Sequence, residues 1–184
     1  MQGLWVISDG YIHIRKAVLT DAASLAEIQS FSWAAAYAEI IPDEAIQKQN
    51  LNRRERWESI LSGAHNTFIA FLGDKPAGFA GLSPCRDEGM AYVGEIVAIY
   101  LHPAYWRKGI GRYLLRFSIS WLREQGYAEV VLWTLEDNVS AHRFYEACGM
   151  YKDGGRKELT IGKPLSVIRF SMLQESIGLN PDDG

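Results

Sequence analysis

The run Glu95-Ile96-Val97-Ala98-Ile99-Tyr100-Leu101-His102-Pro103-Ala104-Tyr105-Trp106-Arg107-Lys108-Gly109-Ile110-Gly111-Arg112 decides how this chain folds. Its opening residues are almost all apolar, Pro103 stops them, and a basic turn with two glycines follows. A strand this apolar, Glu95 to Leu101, belongs at the centre of a sheet and is expected to be buried on both faces. The turn leads into a helix, so free backbone N–H groups and the positive end of the helix dipole converge beside Arg107, Lys108 and Arg112. Such a site suits phosphate oxygens. Gly109 and Gly111 lack a Cβ, which lets the backbone approach a ligand closely and take up positive φ.

Other phosphate-binding patterns fit less well. The dinucleotide fingerprint needs a third glycine, and Gly109-Ile110-Gly111 continues instead as Arg112-Tyr113-Leu114. The Walker loop needs Gly-Lys-Ser/Thr, and the Gly162-Lys163 pair is followed by Pro164.

Upstream, the alternation in residues 11–17 predicts a first strand. Thr20 or Asp21 is expected to cap a helix that runs through Phe31, Trp33 and Tyr37 and breaks at Pro42. A polar helical region follows from about Asp43 to Leu61, with Arg53, Arg54 and Arg56 on an expected solvated face that leaves a homodimer contact open. Thr67–Leu72 and Ala77–Ser83 read as a hairpin around the turn Gly73-Asp74-Lys75-Pro76. Downstream, a helix spans Arg112–Gln125 with Gly126 as its stop, and Val130–Leu135 is another core strand. A short helix begins at Ser140 and ends at Gly149, and strands at 155–161 and 166–173 close the pattern. The order βααβββαβαββ predicts an α/β (α+β) domain, a mixed sheet with helices on both faces, over residues 1–176. Residues 177–184 are expected to form a disordered tail.

Composition narrows the function. The 184 residues suit one domain with a full core. A net charge of −3 argues against nucleic acid as a partner, so the basic turn is a local anion site. Two cysteines, Cys85 and Cys148, make no disulfide framework, and no apolar run is long enough to span a membrane. The expectation is a cytoplasmic protein without membrane contact. His13, His65, His102 and His142 show no metal-ligand spacing.

Two motifs carry a family resemblance. Tyr100 to Leu115 resembles the acetyl-CoA pyrophosphate loop of the GNAT acyl-CoA N-acyltransferase superfamily, with Trp106 where relatives often have Gln or Arg. Asn138-Val139-Ser140-Ala141-His142-Arg143-Phe144-Tyr145-Glu146-Ala147-Cys148-Gly149 is similar to its second signature, Asn-x-x-Ala-x-x-Phe-Tyr-x-x-x-Gly. The likeness spans roughly residues 11 to 174. It implies a GNAT fold with a mostly antiparallel sheet and an enzyme that moves the acetyl group of acetyl-CoA directly to a primary amine, with no metal. The pyrophosphate would lie on Arg107, Lys108, Gly109, Ile110, Gly111 and Arg112. Backbone groups of Ile99, Tyr100 and Leu101 would serve the pantetheine and acetyl carbonyl, and Asn138 and Ser140 would flank the cofactor arm.

The resemblance also assigns chemistry. Glu95 stands where relatives carry a general base, and a desolvated carboxylate accepts protons more readily than a solvated one. The competing role is a strand-end carboxylate held in a salt bridge. Tyr145 is the candidate acid for the leaving thiolate, against the alternative of a core tyrosine. Cys148 reads as a small buried side chain rather than a nucleophile. Trp33 and Tyr37, with Glu39, Asp43 and Glu44 nearby, would form an acceptor wall suited to a small cationic amine. The acceptor alternatives are a protein N-terminus or lysine, and the alternative of another class is a non-catalytic acyl-CoA sensor.

Overall fold

The computed structural model describes residues 3–7 and 10–173. The segment 177–184, expected as a tail, lies outside them. Eight strands form one sheet: β1 (Gly3–Ile7), β2 (Gly10–Lys16), β3 (Thr67–Leu72), β4 (Lys75–Pro84), β5 (Val93–Leu101), β6 (Glu129–Leu135), β7 (Tyr151–Ile161) and β8 (Lys163–Leu173). Their spatial order is β1-β2-β3-β4-β5-β6-β8-β7, antiparallel throughout except for β5 beside β6. Five α-helices cover its faces: α1 (Ala22–Tyr37), α2 (Asp43–Asn50), α3 (Arg53–Ser62), α4 (Ile110–Glu124) and α5 (Val139–Ala147). No helix among the described residues is long and apolar enough to cross a membrane.

Two elements depart from the sequence reading. Strand β1 pairs antiparallel with β2 and was not anticipated, although Leu4 to Ile7 is apolar and Ser8-Asp9-Gly10 has turn composition. The polar region expected as one helix from Asp43 to Leu61 is two. Leu51 is extended, and Asn52 takes the left-handed conformation at φ 55°, which Asn tolerates better than most residues. The break sets Arg53 at the first position of α3 with its side chain inward, so this arginine leaves the solvated face where Arg54 and Arg56 remain.

The helix start is also corrected. Asp21 does not cap α1 itself: its carboxylate accepts the Val18 N–H at 2.8 Å and both terminal nitrogens of Arg15 at 2.7 and 2.9 Å, locking a single 3-10 turn ahead of the helix. At α5, the cap is Asn138, whose side chain accepts from the Ala141 N–H at 3.2 Å, and the helix begins at Val139 rather than Ser140.

The central strand is buried on both faces only as far as Ile96. Its parallel pairing with β6 covers Val93 to Glu95 and then stops. On the other side, Gly81 pairs with Ala98 and Leu82 with Ile96, so Val97 is an extra residue, a β-bulge. The bulge shifts the two-residue alternation. Ile96, Ile99 and Leu101 all pack towards the α4 core, whereas Ala98 and Tyr100 pack towards α1 and α3. Beyond Glu95, β5 and β6 part and leave a cleft through the sheet.

Candidate active site

The rim of the cleft is the loop before α4. Gly109 caps the helix at φ 81°, and the Arg112 and Tyr113 N–H groups turn back onto the Gly109 carbonyl at 3.0 and 3.4 Å. The amides of Gly109, Ile110 and Gly111 have no such backbone acceptor and face outward at the helix N-terminus. Arg107, Lys108 and Arg112 are exposed around them, and Arg107 itself is left-handed at φ 60°. The two glycines do different jobs. A Cβ on Gly109 would meet no atom within 4 Å, whereas one on Gly111 would sit 3.3 Å from the Phe144 ring. Gly109 keeps the ligand side open, and Gly111 lets α4 pack on α5. Trp106 donates its indole N–H to the Leu101 carbonyl at 2.9 Å, folding the loop over the end of β5.

Inside the cleft, backbone and side chains divide the work. The His102 N–H bonds to Ala77 on β4 at 2.9 Å. Antiparallel alternation then turns the Tyr100 amide towards β4 and those of Ile99 and Leu101 towards the cleft. Tyr100 contributes its side chain instead. Its phenol packs on Phe79 with ring centroids 5.5 Å apart and interacts with Trp33, Gln29 and Tyr37 of α1. Trp33 and Tyr37 meet edge to face at 5.3 Å. From the opposite face, Tyr145 of α5 packs on Phe144 and Phe170, each 5.4 Å away, and interacts with Tyr100.

These phenols stay protonated. Burial, then the neighbouring Tyr100 and Cys148, push the Tyr145 hydroxyl well above its ordinary value. Burial, then Tyr100 and Tyr145, raise Tyr37 likewise. The Tyr145 hydroxyl makes no hydrogen bond among the described residues, so it is a donor without a recipient.

Glu95 is 1% exposed and lies on the α1 face, opposite in direction to Ile96. Arg86, from the β4–β5 connection, holds it: the Arg86 N–H, Nε and Nη2 approach its oxygens at 3.1, 3.0 and 2.5 Å. The strand-end salt bridge foreseen as the competing role is therefore present, although the Arg86 side chain is itself 65% exposed. Beside it, Asp87 accepts from Trp133 Nε1, Lys157 and Arg169, and Arg169 also binds Asp153 at 2.7 Å.

The structure thus brings Trp33, Tyr37, Tyr100 and Tyr145 together, with Asn138 against Tyr37. Glu95 shares their face but stands about 16 Å along the strand from Tyr100. Ser140 is exposed beside buried Asn138, and Glu39, Asp43 and Glu44 are exposed and outside the aromatic group. Sequence reasoning missed Arg86, Asp87, the Tyr100 side chain, Arg53 and His142, whose Nε2 lies 3.0 Å from the Leu135 carbonyl. None carried a motif, and only the fold assembles them. A shallow polar depression between α2 and the β7–β8 turn, lined by Pro42, Lys48 and Thr160 among others, shares none of these residues. Among the described residues, no group of three or more His, Cys, Asp or Glu side chains could hold a metal.

Comparison with known proteins adds a family. The model of the Acetyltransferase (GNAT) family matches residues 24–150. An N-acetyltransferase of Bacillus subtilis, YuaI, of uncharacterized activity, is 34% identical over 139 residues, 74% of this chain and 78% of that one. The spermidine N(1)-acetyltransferase of Thermoplasma acidophilum is 29% identical over 82% of this chain and 92% of its own length. The aminoglycoside N(6')-acetyltransferase type 1 of Stenotrophomonas maltophilia is 27% identical over 74% and 84%. Among solved structures, the PaiA N-acetyltransferase of Thermoplasma acidophilum, in complex with coenzyme A, shares the fold. Its TM-score is 0.72 at 24% identity, covering 89% of this chain and 99% of that one.

Proposed function

This chain belongs to the acetyltransferase (GNAT) family and is an acetyl-CoA-dependent N-acetyltransferase, and we propose that its acceptor is the primary amine of a small molecule bound on the α1 face of the cleft. The observation that carries this reading is Tyr145, a buried protonated phenol with no hydrogen-bond partner among the described residues, within electrostatic reach of Tyr100. The named substrates of two relatives, spermidine and aminoglycosides, are small amines and support the same class.

The residues present fit the cofactor. The outward amides of Gly109, Ile110 and Gly111, with Arg107, Lys108 and Arg112, would hold the pyrophosphate by hydrogen bonds and helix-dipole attraction. Amides of Ile99 and Leu101 would hold the pantetheine and the acetyl carbonyl, and Asn138 and Ser140 would flank the arm. Bound there, acetyl-CoA supplies a thioester carbonyl open to attack by an amine.

Glu95 is assigned the proton acceptor. Its distance along the strand from Tyr100 means that it takes the proton through a chain of waters rather than by direct contact, with Arg86 yielding part of its hold on the carboxylate. Ile99 and Leu101 amides suit developing negative charge on the carbonyl oxygen. Tyr145 is assigned the proton donor to the departing sulfur. Trp33 and Tyr37 remain the acceptor wall; the exposed Glu39, Asp43 and Glu44 add nothing to it. Transfer is direct in this reading. Burial raises the Cys148 thiol against the pull of Arg112 and Arg116, which leaves too little thiolate for a nucleophile.

The test is free-thiol release from acetyl-CoA over a panel of small amines and N-terminal peptides. The reading expects turnover with small amines. Turnover with peptides alone, or acetyl-CoA binding with no thiol release from any acceptor, would contradict it.

A further inference from the structure

Arg53 is 4% exposed, and among the described residues no carboxylate lies within ion-pair distance of it. The buried carboxylates are matched, Glu95 with Arg86 and Asp21 with Arg15, and so is the half-buried Arg169 with Asp87 and Asp153. Arg53 has one hydrogen bond, from Nη2 to Asn50 Oδ1 at 2.7 Å, and its guanidinium carbon lies 5.1 Å from the Trp33 ring centre. Its Nε is buried and unpaired, and the Trp33 indole nitrogen beside it is buried too, directed at the Tyr100 hydroxyl without reaching it in full hydrogen-bond geometry. Burial pulls the Arg53 pKa down to about 10, against the opposing influence of Tyr100 and with that of Arg56. A buried cation without a counter-charge is costly to keep.

These two donors adjoin the site. Tyr100 interacts with Arg53 and Trp33 on one side and with Tyr145 on the other. Trp33, Tyr37 and Tyr100 keep partial solvent contact, while Arg53 Nε and the Trp33 indole nitrogen do not, so a ligand reaches them by parting those side chains.

We propose that Arg53 Nε and the Trp33 indole N–H bind a carboxylate of the acceptor, so that the acetylated amine belongs to an amino-acid-like compound rather than a polycation. This rests on the reading of the cleft as the acceptor site. A polyamine would bring like charge to Arg53.

The experiment compares free α-amino acids with their own carboxamides, and with spermidine, by thiol release from acetyl-CoA. In the wild type at least one free acid is expected to exceed its carboxamide about tenfold or more in kcat/KM, mainly through KM. In Arg53→Met that ratio should fall to about one while the melting temperature holds or rises, since an unpaired buried charge gives way to an apolar chain. Carboxamides or spermidine used as well as the acids, or an unchanged ratio in Arg53→Met, would overturn the proposal and leave the transferase reading intact. If no amine releases thiol although acetyl-CoA binds, that reading fails instead. The Arg53 site is then decided by binding. An amino-acid-induced rise in melting temperature of the CoA-saturated wild type, missing in Arg53→Met, upholds it, and no rise overturns it.

Discussion

Tyr100 and Tyr145 belong to opposite faces of the sheet, yet Tyr145 feels the charge of Tyr100. Tyr100 packs with α1 and α3, and Tyr145 sits in the core beneath α4. They come within electrostatic reach because β5 and β6 pair only from Val93 to Glu95, and the bulge at Val97 turns Tyr100 to the α1 side. An unbroken pair of strands would place a hydrogen-bonded ladder between them.

Replacing Glu95 with Gln keeps shape and removes the proton acceptor, so kcat should fall about 10²- to 10⁴-fold with acetyl-CoA affinity little changed. Arg86→Ala separates this from a purely structural salt bridge. If the pair only holds β5 to the β4–β5 connection, both substitutions should lower the melting temperature alike and leave kcat within about threefold of wild type. Steady-state rates and melts on the two variants decide between them.

The two loop glycines should fail differently. Gly109→Ala forces a side chain into the left-handed region at a strain of about 1–2 kcal/mol and places its methyl on the ligand side. Acetyl-CoA affinity by calorimetry should drop about tenfold with the fold retained. Gly111→Trp should instead press on Phe144 and Leu101 and lower the melting temperature. Normal acetyl-CoA binding by Gly109→Ala would count against the loop assignment.

Much of this architecture was legible in the chain. The apolar run Glu95–Leu101, the stop at Pro103 and the glycine turn fixed a strand, a loop and α4, because strong local signals agreed there. The α2–α3 break was not legible, since Asn50-Leu51-Asn52 lacks proline and glycine and depends on Asn52 tolerating a left-handed turn. Burial of β5 was overestimated because an apolar strand reads the same whether its neighbour stays or leaves. The inward turn of Arg53 and the approach of Arg86 to Glu95 join segments that no local pattern connects.

Acid should erase one contribution to stability. Burial works to raise the Asp21 pKa, but the Arg15 guanidinium and the Val18 N–H together hold it below the usual carboxylate value. A folded value below the unfolded one, about 3.9, stabilises the protein above that pH, and the gain is lost as pH falls through the folded value. Asp21→Asn should therefore melt below wild type at pH 7, and the gap should close below about pH 4. A gap that stays constant would contradict this.

The raised Tyr145 hydroxyl places its own titration beyond the working range. Once the amine is deprotonated, kcat should run flat up to about pH 10. An alkaline limb near pH 8 that disappears in Tyr145→Phe would show a phenol titrating far lower than its setting allows.

The central claim is that the parting of β5 and β6 builds the reaction centre around Tyr145, and the kcat of Tyr145→Phe tests it most directly. Phenylalanine keeps the packing on Phe144 and Phe170, and the hydroxyl has no protein hydrogen bond to lose. The account predicts a fall in kcat of about a hundredfold, with melting temperature and acetyl-CoA affinity unchanged. A variant that turns over as fast as wild type would contradict it.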